Sequence, residues 1–166
     1  MSTASKIVIG AGLVLCVGFA QSVAVAQSHY STPAHEPSNP LHQKSDSRMK
    51  IQLTAGGTVI ATATLDDNAT ARDFAALLPL NLPFKDYAAT EKIADLPHRL
   101  SVHGAPRAYT PLVGDISFYA PWGNLAIFYK NGELSSGLVR IGRIDAGLAA
   151  VQRLGPVSVR VERISP

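Results

Sequence analysis

From Lys50 onward the apolar residues fall at every second position. Ile51 and Leu53 alternate with polar neighbours in "KIQLTA", Gly56-Gly57 supplies the positive φ angles of a tight turn, and "TVIATATL" (58–65) reads as the return strand. The period then lengthens in "DDNATARDFAALLP". Thr70 is a candidate cap, Asp73 suits the positive end of a helix dipole, Phe74, Leu77 and Leu78 share one face, and Pro79 stops the run. Alternation resumes with Leu80, Leu82 and Phe84 facing one way, and Pro83 argues for an edge or a bulge.

The stretch 80–112 is the least periodic, and "HGAPRAYTP" (103–111) reads as a loop. Strands return as "GDISFYA", turn at "PWGN", come back as "LAIFYK", and turn again at "NGELSSG" into "LVRIGRI". Asp145 is a candidate cap for a second short helix carrying Leu148, Val151 and Leu154, ended by Gly155-Pro156. "VSVRVERI" places Val157, Val159 and Val161 on one face. Many short strands with two short helices predict a mainly β fold, a barrel capped at its ends, because closing the sheet removes its edges.

Upstream the grammar differs. Lys6, the apolar run 7–20 and the small-residue stretch holding Ala24 and Ala26 match a secretory signal peptide cut after Ala26. Fourteen apolar residues are few for a membrane span, and the flanks fit a leader better than an uncleaved anchor. Leu15 before Cys16 disfavours a lipid anchor there. Residues 27–48 are polar and carry three prolines, so they read as a flexible linker; Met49, directly after it, is an alternative start. We expect a signal peptide at 1–26, a linker at 27–48, one domain at 49–166, and an exported, periplasmic or secreted product.

Cleavage removes Lys6 and the only cysteine, Cys16. Of 15 Lys+Arg, 14 then face 12 Asp+Glu. No disulfide is available, so the core must hold the fold. The small positive balance, with no basic run among aromatics, argues against nucleic acid. No metal or cofactor is expected: the linker histidines His29, His35 and His42 match no ligand spacing, and no nucleophile elbow or phosphate loop is present.

Four short words, taken in order, carry a resemblance. "MKIQLTAGGTVIATATLDDNATARDFAALLPL", "EKIADLP", "GDISFYAPWGNLAIFYK" and "RIGRID" resemble the bacterial cyclophilin-like domain family, from Met49 to about Ile164. The resemblance implies a closed antiparallel barrel of about eight strands with two capping helices. It does not carry a reaction with it. The words of the peptidyl-prolyl isomerases, a "QGGD"-like motif and a histidine after the tryptophan, are absent: His103 is the last histidine.

Four residues stand out as binding candidates. Glu91, beside Lys92 in "TEKIADLP", is either a pocket carboxylate or half of a solvated loop pair, and the loop is the better reading. Tyr119 belongs to the aromatic cluster 118–130. Trp122 sits in the "PWGN" turn, as a ligand contact at a barrel rim or a plug for the barrel end. Strict alternation sets Arg140 and Arg143 on opposite faces, which turns Arg143 inward beside Ile141, with Asp145 as its partner. Arg140 is a candidate donor.

Two functions remain open. One is a non-catalytic module, expected to be monomeric, that binds a peptide or small molecule beside Tyr119, Trp122 and the 85–112 region. The other is a peptidyl-prolyl isomerase acting on exported proteins.

Overall fold

A computed structural model of the protein describes residues 48–164. The expected signal peptide at 1–26 and all but the last residue of the expected linker lie outside the described residues. The two-residue period becomes a strand wherever one face can be buried. In chain order the elements are β1 (Lys50–Ala55), β2 (Thr58–Leu65), α1 (Ala69–Leu77), β3 (Leu80–Tyr87), β4 (Glu91–Asp95) and β5 (Ala108–Tyr109). They continue with β6 (Asp115–Tyr119), β7 (Asn124–Phe128), β8 (Ser135–Ser136), β9 (Leu138–Ala146), α2 (Leu148–Arg153) and β10 (Val157–Arg163). Eight strands close an antiparallel barrel in the order β1-β10-β3-β4-β7-β6-β9-β2, and β5 pairs with β8 as a separate ribbon.

Ile51, Leu53, Leu82, Phe84, Phe118, Leu125, Ile127, Val159 and Val161 fill the barrel, each almost wholly buried. Phe74 of α1 and Val151 of α2 join them. The two helices stand at opposite ends of β3. That strand leaves α1 through Leu78-Pro79 and runs to Asp86, whose partner Lys92 reaches the carbonyl that ends α2.

Pro83 lies in a closed sheet rather than on an edge strand, facing out opposite Ser158 of β10. It is tolerated because β4 pairs with β3 only over Lys85–Tyr87, so no β4 carbonyl opposite Pro83 requires a donor.

Both cap expectations need correction. Asn68, not Thr70, caps α1: its Oδ1 accepts from the Ala71 amide at 2.8 Å. Thr70 is buried inside the helix and donates to the Ser101 carbonyl at 2.7 Å, while Asp73 accepts from the Ser101 amide at 2.7 Å. An asparagine places its carbonyl oxygen as well as a hydroxyl would, and its amide also reaches the Arg140 carbonyl at 3.0 Å. At α2 the capping position is Gly147, with φ 87°. Asp145 remains in β9 and accepts from Lys50 at 3.0 Å and Thr64 at 2.7 Å. Gly147 passes so close to β2 that a Cβ there would stand 2.0 Å from the Ile60 carbonyl oxygen. Only glycine fits both that approach and that φ.

The arginine faces are also revised, by a bulge. Ile116 of β6 lies opposite Gly142 and Ser117 opposite Arg140, so Ile141 has no partner across the ladder. Two successive residues, Ile141 and Gly142, therefore turn inward, and alternation restarts one step out of phase. Arg140 and Arg143 end on the same outer face, with Ile141 fully buried between them.

Candidate functional site

The wall formed by β3, β4, β7 and β6 is covered on both sides. Leu125 and Ile127 of β7 face the barrel core, while Ala126 and Phe128 face outward into a second apolar cluster with Ile93 and Leu138. Tyr109 of the β5–β8 ribbon and Tyr119 pack against that cluster. The aromatic stretch 118–130 is thus chiefly barrel wall, serving two apolar layers. This explains why every residue of β7 is buried.

Where the ribbon leaves the wall bare, a recess of about 450 Å³ opens on the outer face. Register builds it. Tyr87, Glu91 and Phe128 lie side by side on three adjacent strands, and Asn124, Tyr119 and Leu138 form a second row. Phe128 and Leu138 are apolar and buried; Tyr87 and Tyr119 rise beside them. Trp122 packs edge to face against both tyrosines, with ring centroids 5.4 Å from Tyr87 and 5.3 Å from Tyr119. It is 53% exposed and outside both core clusters, so it does not plug the barrel.

The loop reading of Glu91-Lys92 is overturned: both lie in β4, and alternation sends them to opposite faces. Lys92 points inward and is 1% exposed. Its Nζ donates to the Asp86 carboxylate and to the Leu154 carbonyl at the C-terminus of α2. Tyr129 donates to the same carboxylate at 2.7 Å. Hydrogen bonds from Lys92 and Tyr129 hold the Asp86 carboxyl below its ordinary value, while burial, reinforced by Asp86, pushes the Tyr129 hydroxyl up to about 12. Glu91 faces the recess, partly buried, and burial raises its carboxyl above the ordinary value.

Arg140 is elsewhere. It contacts Asp66 at 3.2 Å and Asp115 Oδ1 at 3.6 Å, and Arg143 reaches the same Asp115 oxygen at 3.1 Å. Asp115, not Asp145, is therefore the partner of Arg143. Asp115 is fully buried and also accepts from the Tyr109 hydroxyl at 2.7 Å and the Leu112 amide at 2.8 Å. These bonds tie the ribbon and the loop before β6 to the barrel.

The structure thus brings together three of the four sequence candidates, Glu91, Tyr119 and Trp122, and separates Arg140 from them. Tyr87 and Asn124 were missed. Asn124 was legible as the last residue of "PWGN"; Tyr87 required knowing that β3 continues through 87 and pairs with Glu91. Among the described residues no group of three His, Cys, Asp or Glu side chains is placed to hold a metal, and no helix is long and apolar enough to cross a membrane.

The family model described as the cyclophilin-like family matches residues 53–162. No curated protein matches the chain. Among solved structures, the solution structure of the hypothetical protein AF2241 from Archaeoglobus fulgidus is similar, with a TM-score of 0.54 and 18% identity over 70% of this chain and 95% of that one. At that identity the likeness is one of fold.

Proposed function

Because the chain belongs to the cyclophilin-like family, whose fold sets no reaction by itself, we propose that it is a non-catalytic binding module taking a peptide or small molecule on the outer face of the barrel. The observation that carries this reading is the recess walled by Tyr87, Tyr119 and Trp122 over the apolar floor of Phe128 and Leu138. Rings packed edge to face against one another are already ordered, so a ligand meets a surface that loses little side-chain entropy on binding. The arginine on which an isomerase would rely, Arg140, is held by Asp66 and Asp115 and does not line this recess.

Trp122→Ala tests the reading. It is expected to leave the barrel folded, at a cost of about 1–2 kcal/mol from two lost ring contacts. It should also abolish the thermal shift that ligands from a peptide and metabolite screen give the unaltered protein. A loss of about 3–5 kcal/mol would mark a structural tryptophan instead. So would ligand shifts that persist in the variant.

We also propose that the module works outside the cytoplasm, on the strength of Lys6, the apolar run 7–20 and the Ala24-x-Ala26 site. Intact-mass measurement of the exported protein is expected to give a chain beginning at Gln27. A mature chain retaining residues 1–26 would contradict it.

A further inference from the structure

We infer that the outer-face recess recognises an organic cation, an ammonium or guanidinium group carried by a small molecule or a peptide side chain. This rests on the binding reading and narrows it to a ligand chemistry.

Charge is the first ground. The chain is basic, with 15 Lys+Arg against 12 Asp+Glu, yet no lysine, arginine or histidine lines the recess, while Glu91 and Glu133 both do. Elsewhere Asp66, Asp67, Asp86, Asp115, Asp145 and Glu162 each hold a lysine or arginine, and Asp73 accepts from the Ser101 amide. Among the described residues Glu91 has no ion pair and no side-chain hydrogen bond. A partly buried carboxylate without a counter-ion costs free energy that an arriving cation would recover.

The rings are the second ground. A cation over the face of tryptophan or tyrosine is attracted by the ring quadrupole, and more strongly where water is displaced. Here three such rings stand beside the uncompensated carboxylate, and Glu91 lies directly across the strand pair from Tyr87. Asn124 supplies the third ground. It lines the same recess at 2% exposure, and its Oδ1 is buried without a donor. A buried acceptor lacking a partner is costly, and an N–H from an ammonium or guanidinium would satisfy it. Carboxylate, amide oxygen and aromatic faces all favour one sign of charge.

Trp122 is the only tryptophan, so its fluorescence reports on the recess directly. The full chain would be titrated with choline and Nα-acetylarginine amide, and with their neutral counterparts 3,3-dimethyl-1-butanol and Nα-acetylnorleucine amide. At least one cation is expected to bind saturably and about tenfold more tightly than its neutral counterpart. Preference for choline would indicate a small molecule, and preference for the arginine amide a peptide side chain. Glu91→Gln should lower the cation affinity about tenfold while leaving the melting temperature unchanged or higher, since it removes a charge that burial disfavours.

Equal binding of cations and neutral counterparts, or undiminished cation affinity in Glu91→Gln, would overturn the inference while leaving a binding recess that selects by shape. Silence from all four probes overturns it too. In that case Trp122-dependent ligands from the screen decide whether the binding reading survives.

Discussion

Asp115→Ala is expected to lower the unfolding free energy by about 3–5 kcal/mol, the cost of breaking a buried charge pair from one side. Asp115 is wholly buried and accepts from the Tyr109 hydroxyl, the Leu112 amide and Arg143, with Arg140 alongside. Removing the carboxylate strands a hydroxyl and an amide donor. It also leaves two guanidinium groups facing each other across a small void. Tyr109 belongs to the ribbon that covers Phe128 and Ile93, so the loss reaches the second apolar cluster as well as the site itself. Asp115→Asn keeps the shape and one acceptor but turns an amide N–H₂ toward existing donors, and about 2 kcal/mol is expected. Urea unfolding with an unchanged slope would give both values. A cost under about 1 kcal/mol for the alanine variant would show that the network is only a surface cluster.

At the other buried charge, chemistry and volume separate cleanly. Lys92→Ala is expected to cost about 3 kcal/mol, because it removes both a buried stem and the cation that Asp86 and the end of α2 share. Lys92→Met should recover most of that loss. Methionine fills the space of the stem, and the Asp86 side chain, 56% exposed, can turn to water when its partner leaves. The Leu154 carbonyl then loses a donor, which leaves a residual cost of about 1 kcal/mol.

The pH dependence has a definite sign. Asp86 has its folded value depressed below 3.8, so its pair contributes stability at neutral pH that is lost as pH falls below that ordinary value and through the folded one. Acid unfolding should therefore be steeper in the unaltered protein than in Lys92→Met. Equal steepness would place the acid-sensitive carboxylate elsewhere.

Strand periodicity made the fold legible, because a barrel wall with one packed face must alternate. It failed where a second physical requirement was superimposed. At Ile141-Gly142 one extra residue in the ladder reverses the parity of everything after it, and no hydrophobic pattern announces a bulge. At Glu91-Lys92 the sequence neighbours are two charges, which read as a solvated pair. In the fold, a strand sends one to the recess and the other into the core, where Asp86 awaits it from an adjacent strand. In "LAIFYK" Leu125 to Phe128 are buried on both faces, since the ribbon from 108–109 and 135–136 that covers the outer one lies too far along the chain for local pattern to reveal. Site residues drawn from one turn, Tyr119, Trp122 and Asn124, were within reach. Tyr87 came from a register that only the sheet specifies.

The position of β10 also has a consequence for how the protein is made. Val157–Arg163 is the last strand, and it alone joins β1 to β3. Until it has emerged during synthesis, a nascent chain with every other ladder formed still presents two unpaired strand borders, one on the first strand of the domain and one on the third. Such borders template pairing with neighbouring chains. Completion must also bring together segments about a hundred residues apart, as Ile51 and Arg163 are in the finished ladder, and the lost chain freedom delays that step. The interval between emergence and closure is when this barrel is most exposed to aggregation and most dependent on whatever shields nascent chains.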